Sequence, residues 1–224
     1  METQYTECCL CSFVGKLTKE HIPPKSAYNY WKPTYKQYYK VCLCGNCNNF
    51  TGIYAQEYCN VAKQAMEYLV KIKDIGGLTQ CNLVIKNFRP LRFIKYLALL
   101  LLTTNNNNNQ LKYNHPNLPN FVLNKESHYL LDKYRIHLNL FDEPLIFKSG
   151  LYTKMELYKN IQFVSEFYHI PFHNVISIGQ DFEDMIDISF MKKYSYDERV
   201  AELNLPVKFS KSTSILKICR ELKP

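Results

Sequence analysis

The sequence predicts an α+β protein, in which a small metal-stabilised unit of strands and a helix precedes an antiparallel sheet with packed helices. Three observations carry that expectation. Cys8-x2-Cys11 and Cys44-x2-Cys47 form two closely spaced thiol pairs near the amino terminus. A largely apolar stretch over residues 91–102, interrupted by Arg92 and Lys95, follows Pro90, a residue suited to the first position of a helix. Residues 133–140 alternate, with Tyr134, Ile136, Leu138 and Leu140 against Lys133, Arg135, His137 and Asn139, the period of a half-buried strand.

The composition of the 224-residue chain, 46% hydrophobic and 14% aromatic, is that of a chain with a packed core and excludes a disordered one. The net charge of +8 suits a polyanionic partner. The first residues are polar and show no secretory signal pattern. The longest apolar run, residues 96–102, is far short of the roughly 20 residues a bilayer-spanning helix needs. The expectation is a soluble, cytoplasmic protein with no membrane partner.

Nine cysteines, an odd number, argue against a complete disulfide framework and for intracellular metal binding. Two C-x2-C pairs present four soft thiolates, the donor set that tetrahedral zinc prefers. Cys8, Cys11, Cys44 and Cys47 are the expected zinc ligands, and Cys9 and Cys42 are adjacent thiols able to substitute. Cys59, Cys81 and Cys219 lie in apolar or helical surroundings and are expected to be buried and inert.

Taken in order, residues 12–18 are expected to form a short hairpin connection into Glu20-His21. Pro23 and Pro24 then hold the chain extended. Residues 28–40 interleave tyrosines and lysines around Trp31, a mixture that either stacks on bases and meets phosphates or packs its rings on the metal site. Residues 41–43 read as a brief strand delivering the second cysteine pair. From Ile53 the pattern is helical: Tyr54, Tyr58, Val61, Ala62, Ala65, Met66, Leu69 and Val70 recur at steps of three and four. Thr51-Gly52 is the expected start and Gly76-Gly77 the expected end. A first unit over residues 1–75 and a second α+β region over 76–224 are the expected domains.

Within the second region, residues 81–88 predict a strand and residues 91–102 the central core helix, marked by Arg92 and Lys95. The asparagine run 105–109 predicts a surface loop. Residues 118–123 predict a short helix. Residues 145–152, 161–167 and 175–178 predict further strands, punctuated by Gly150 and Pro171. Residues 196–203 and 214–222 are expected to be helical. Asp181, Glu183, Asp184 and Asp187 read as a solvated acidic face. His115, His128, His137, His169 and His173 show no metal-ligand spacing and are expected to be structural.

The chemistry lies in the first unit. Metal bound by both cysteine pairs brings the segment after the first pair beside the segment after the second. Glu20 and Asn48 then offer a carboxylate and an amide oxygen, suited to a hard cation such as Mg²⁺. His21 offers an imidazole able to take a proton from an attacking water. Lys25 and Lys32 are placed to meet phosphates. Those are the parts needed to hydrolyse a phosphodiester with one metal ion.

The order Cys8-x2-Cys11, Glu20-His21-Ile22-x-Pro24, Cys44-x2-Cys47-Asn48 resembles the HNH endonuclease family, whose fold is a zinc-stabilised ββα-metal (treble-clef-like) unit. The run Cys47-Asn48-Asn49-x-Thr51-Gly52-x-Tyr54, with Arg92-Phe93-Ile94-Lys95 and Phe121-Val122-Leu123, is similar to a prokaryotic branch of that family. The resemblance implies His21 as general base, Glu20 and Asn48 as ligands of a catalytic divalent ion, and a structural zinc on the four cysteines. It covers about the first quarter of the chain. The central asparagine of the motif has no counterpart in Tyr38-Tyr39-Lys40-Val41, and Asn29 comes earlier than the motif requires.

The expected activity is a metal-dependent endonuclease acting on DNA in preference to RNA, in a setting such as phage defence. The alternative is a non-catalytic zinc module that binds nucleic acid or a protein. A third reading is a thiol redox protein using C-x2-C, which a tightly held zinc would dismiss.

Overall fold

The computed structural model of the chain describes residues 6–21, 24, 39–72, 80–104, 110–141, 151–157, 163–169, 172–178, 182 and 185–210. Two short strands, β1 (Thr6–Glu7) and β2 (Val14–Gly15), pair antiparallel and enclose the first cysteine pair. A second hairpin, β3 (Leu17–His21) with β4 (Tyr39–Cys44), follows. β4 runs without a break into α1 (Gly45–Ile72). The ladder steps from Thr18↔Leu43 to Lys19↔Val41, so Cys42 is the extra residue of a bulge in β4.

The helix α1 begins earlier than its sequence suggests. Gly45, Asn46, Asn48 and Asn49 are weak helix formers, which pushes a propensity-based start back to Thr51. Tertiary anchors override that preference: Cys47 is buried in the thiol cluster and Asn48 is tied to β3. Thr51 lies inside the helix, its hydroxyl donating to the Cys47 carbonyl at 2.9 Å. The buried stripe Tyr54, Tyr58, Val61, Ala62, Ala65 and Leu69 follows the expected periodicity, whereas Val70 is exposed. The expected terminator Gly76-Gly77 lies outside the described residues, as does the boundary near residue 75.

The second region opens with β5 (Gln80–Phe88), then α2 (Pro90–Thr104). Every residue from Tyr96 to Leu102 is buried, the signature of a helix covered all round. Two short helices, α3 (Gln110–Asn114) and α4 (Asn117–Leu123), lead to β6 (Tyr134–Phe141). The strands β7 (Leu151–Leu157), β8 (Phe163–His169), β9 (Phe172–Ile178) and β10 (Ile186–Asp187) come next. A 3-10 turn (Ser189–Lys193) and β11 (Val200–Ser210) complete the described elements. The large sheet runs β5-β11-β6-β9-β8-β7, with β10 added beside β6. Its described pairs are antiparallel except β11 with β6, a short parallel contact at Phe209↔Leu140 and Ser210↔Phe141.

Some expectations need correction. Residues 196–203 are not helical: after a turn at Tyr196 and Asp197 the chain enters β11, whose ladder with β5 extends from Val200↔Phe88 to Lys208↔Gln80. That cross-strand pairing outweighs local helical preference, and Pro206 masks the strand in the sequence. β6 is not half-buried, because His137 and Asn139 on its polar face are also covered. His137 packs edge-on to Phe182, and Asn139 accepts the Lys208 amide. Of the strands expected at 145–152, 161–167 and 175–178, residues 151–152, 163–167 and 175–178 fall in β7, β8 and β9, which run on to Leu157, on to His169 and back to Phe172, while residues 145–150 and 161–162 lie outside the described set. Residues 105–109 and 214–222 also lie outside it.

One hydrophobic core joins the first unit to the sheet. Tyr58 of α1 packs against Tyr96 of α2, with ring centroids 4.8 Å apart, and edge-on to Phe172 of β9. Tyr54 donates its hydroxyl to the Val122 carbonyl at 2.9 Å, tying α1 to the end of α4. Among the described residues, no helix is long and apolar enough to cross a membrane.

Candidate metal centre

Cys8 and Cys11 sit in the tight turn between β1 and β2. The Cys8 amide donates to the Phe13 carbonyl at 2.8 Å and the Ser12 amide to the Cys8 carbonyl at 3.3 Å, closing the turn around the thiols. Ser12 adopts a φ of 62°, a left-handed conformation that lets the chain reverse directly after Cys11. Cys44 ends β4 and Cys47 lies in the first turn of α1, so the strand-to-helix junction presents the other two sulfurs.

The four Sγ atoms lie within 4.8 Å of one another, and Cys11 and Cys44 are 3.6 Å apart. Metal–sulfur bonds of about 2.3 Å in a tetrahedron require sulfurs roughly 3.8 Å apart, so this set is close enough to hold one metal ion. Cys8, Cys44 and Cys47 are buried, and Cys11 is exposed at the rim. The Cys44 amide points at Cys8 Sγ from 3.4 Å, a donor that favours thiolate there. A hydrogen bond from the Cys47 thiol, aided by the Cys11, Cys44 and Leu10 amides, pulls Cys8 down to about 4. The same contact, together with burial, pushes Cys47 up. Among the described residues, no other group of cysteine, histidine and acidic side chains has metal-ligating geometry.

Cys9 and Cys42 stand apart from that set. The Cys9 amide donates to the Cys42 carbonyl at 2.9 Å, and the neighbouring Cys42 thiol, together with burial, pushes the Cys9 thiol up. They therefore pair with each other rather than substitute as ligands. Cys59 is buried and Cys81 half-buried against Tyr68, while Cys219 lies outside the described residues.

A buried lysine holds the first turn. Lys112 of α3 donates to Glu7 Oε1 at 2.7 Å, to the Cys8 carbonyl at 3.0 Å and to Ser12 Oγ at 3.0 Å. Tyr113 donates to Glu7 Oε2 at 2.5 Å. The Lys112 and Tyr113 hydrogen bonds hold the Glu7 carboxyl down to about 2. An ammonium this near a thiolate cluster offsets part of its negative charge. Nothing in the sequence marks Lys112, because its partners lie in the first turn, about a hundred positions upstream.

Asn48 is not a helix cap, since α1 starts three residues before it. Its Nδ2 donates to Thr18 Oγ1 at 3.0 Å, and Thr18 in turn donates to the Leu43 carbonyl at 2.9 Å. The first turn of α1 is thereby fastened to β3, the strand whose last two residues are Glu20 and His21. In the ladder Glu20 is opposite Lys40 and His21 opposite Tyr39. The side chains of Glu20 and His21 lie outside the described residues, as do Lys25, Trp31 and Lys32.

Of the remaining candidates, His115 bonds Tyr134 through Nδ1 at 3.1 Å and His128 stacks on Tyr129, both structural roles. Asp187 pairs with Arg135 at 3.2 Å, while Asp181, Glu183 and Asp184 lie outside the described residues. Compared with family models, with curated proteins and with solved structures, the chain matches none.

Proposed function

We propose that the protein is a metal-dependent endonuclease of HNH type that hydrolyses phosphodiester bonds, with DNA as the preferred substrate over RNA. The four cysteines hold a structural zinc, for which an all-sulfur tetrahedral donor set is well suited. The observation that carries the reading is the Asn48–Thr18 hydrogen bond. It fastens the helix turn that follows the last cysteine to the strand that ends in Glu20-His21. The hairpin-then-helix order of β3, β4 and α1 supports the ββα-metal comparison.

With Asn48 Nδ2 directed at Thr18, the amide oxygen is the atom left to ligate a cation. Asn48 and the Glu20 carboxylate would together hold a divalent ion through hard oxygen donors. Such an ion, when bound, supplies neutralisation of charge on the leaving oxygen. His21 takes the proton from the attacking water, and Lys25 and Lys32 meet flanking phosphates.

The test is nicking of supercoiled plasmid by the full chain with Mg²⁺ or Mn²⁺, beside His21→Ala of equal zinc content. The expected loss is about 10²–10⁴-fold, the worth of a general base. Equal cutting by both proteins, or none by either, overturns the catalytic assignment.

A further inference from the structure

Cys9 and Cys42 remain unexplained by the metal centre, and their placement is unusual for two inert thiols. Cys9 lies within the turn that carries the ligands Cys8 and Cys11, and it is buried. Cys42 lies on β4, two residues before the ligand Cys44, and is half-buried, the more accessible member of the pair. The bulge at Cys42 takes that residue out of the β3–β4 ladder and frees its carbonyl to accept the Cys9 amide at 2.9 Å. A backbone hydrogen bond of that length keeps the two Cα atoms within the separation a disulfide spans.

We infer that Cys9 and Cys42 form a reversible dithiol switch, oxidised by hydroperoxides to a disulfide that closes the same chain loop as the metal. Of these two thiols, the half-buried Cys42 is the one an oxidant reaches first, the exposed Cys11 belonging to the metal-holding set. Its sulfur takes an oxygen from ROOH, giving Cys42–SOH and ROH. The Cys9 sulfur then attacks the Cys42 sulfur, the S–O bond breaks, and water leaves with the Cys9 proton. A low-molecular-weight thiol reverses the step by exchange.

The consequence is mechanical. The metal joins the β1–β2 turn to the β4–α1 junction through four sulfurs, and the disulfide joins the same two segments through a separate bond. With that bond formed, the two ligand pairs stay together when the ion dissociates. Rebinding is then favoured over opening of the loop. This inference does not depend on the catalytic reading.

The experiment uses the full chain, zinc-loaded and reduced, titrated with hydrogen peroxide. The expected result is loss of two thiols per chain with zinc retained, and Cys9 joined to Cys42 by tandem mass spectrometry after alkylation of the other thiols. Zinc transfer from the oxidised form to a chelator is expected to be slower by about tenfold or more, from the constrained loop. Cys42→Ala is expected to keep its zinc and lose the two-thiol step. Zinc release in step with thiol loss, a cross-link among the four ligand cysteines, or Cys9 and Cys42 both still alkylated overturns the inference. The mapping on the unaltered chain decides the matter by itself if the variant does not fold.

Discussion

The ammonium of Lys112 lies 3.0 Å from the carbonyl oxygen of Cys8, so a helix far along the chain braces the turn that presents the first cysteine pair of the candidate metal centre. Lys112→Met removes that brace together with the bonds to Glu7 and Ser12. Loss of such a supporting contact typically costs about 10–100-fold in metal affinity. Competition with a chromophoric chelator measures it. Unchanged affinity would show that the turn holds its shape unaided.

Removal of a ligand has a larger effect. Cys47→Ser is expected to bring zinc content from one equivalent to near zero and to lower the melting temperature sharply. Structural zinc contributes on the order of 10–16 kcal/mol of apparent binding energy in small zinc units. Elemental analysis beside thermal denaturation reads both. Full zinc retention in the variant would remove Cys47 from the ligand set.

Thr18→Val deletes the hydroxyl that accepts Asn48 Nδ2 while keeping the side chain's shape. A lost hydrogen bond of this kind costs about 1 kcal/mol of stability. Zinc content is expected to stay at one equivalent and plasmid nicking to fall by roughly tenfold or more, since misplacement of a catalytic group is costly. Wild-type nicking would mean that the Asn48 orientation is irrelevant to turnover.

Lys95 gives a pH signature. Burial holds its ammonium down to about 7, with Glu126 opposing. The ammonium donates to the Phe121 and Glu126 carbonyls and sits 3.8 Å from the Phe121 ring centre. The folded state therefore binds fewer protons than the unfolded state between about pH 7 and the ordinary lysine value of 10.5. Stability of the wild type relative to Lys95→Met should rise with pH across that window, with a slope of up to about 1.4 kcal/mol per pH unit. Urea denaturation of both proteins from pH 6 to pH 10 checks it, and a flat difference would mean the ammonium is not depressed.

Gly52 lies within α1, and a Cβ built there meets nothing within 4 Å. Gly52→Ala is expected to stabilise the chain by about 1 kcal/mol through helix propensity alone. Chemical denaturation measures it. Destabilisation would point to a contact at this position that the helix alone does not reveal.

The parts of this fold legible in the sequence are those whose cause is local. The clustering of Cys8, Cys11, Cys44 and Cys47 could be read because a C-x2-C spacing lets both sulfurs of a pair point to one place. The core helix α2 could be read because Pro90 opens a largely apolar run that is unbroken from Tyr96 to Leu102. The start of α1 was hidden, since its stabilising contacts reach Thr18 and the thiol cluster across roughly thirty positions. β11 was hidden because its partner is β5, far upstream, and because Pro206 interrupts its pattern. Lys112 carried no local sign of its role: its chemistry exists only once α3 rests on the first turn. The place of Asn48 directly after Cys47 marks it as a candidate ligand, whereas its tie to Thr18 exists only once the hairpin has formed.

The packing of Tyr58 between Tyr96 and Phe172 bears on how this protein can be handled in the laboratory. A fragment cut after α1 would retain every sulfur of the metal centre yet lay bare a stripe of aromatic rings to water. Such a fragment should self-associate at purification concentrations, so biochemical dissection is better done by point substitution than by truncation.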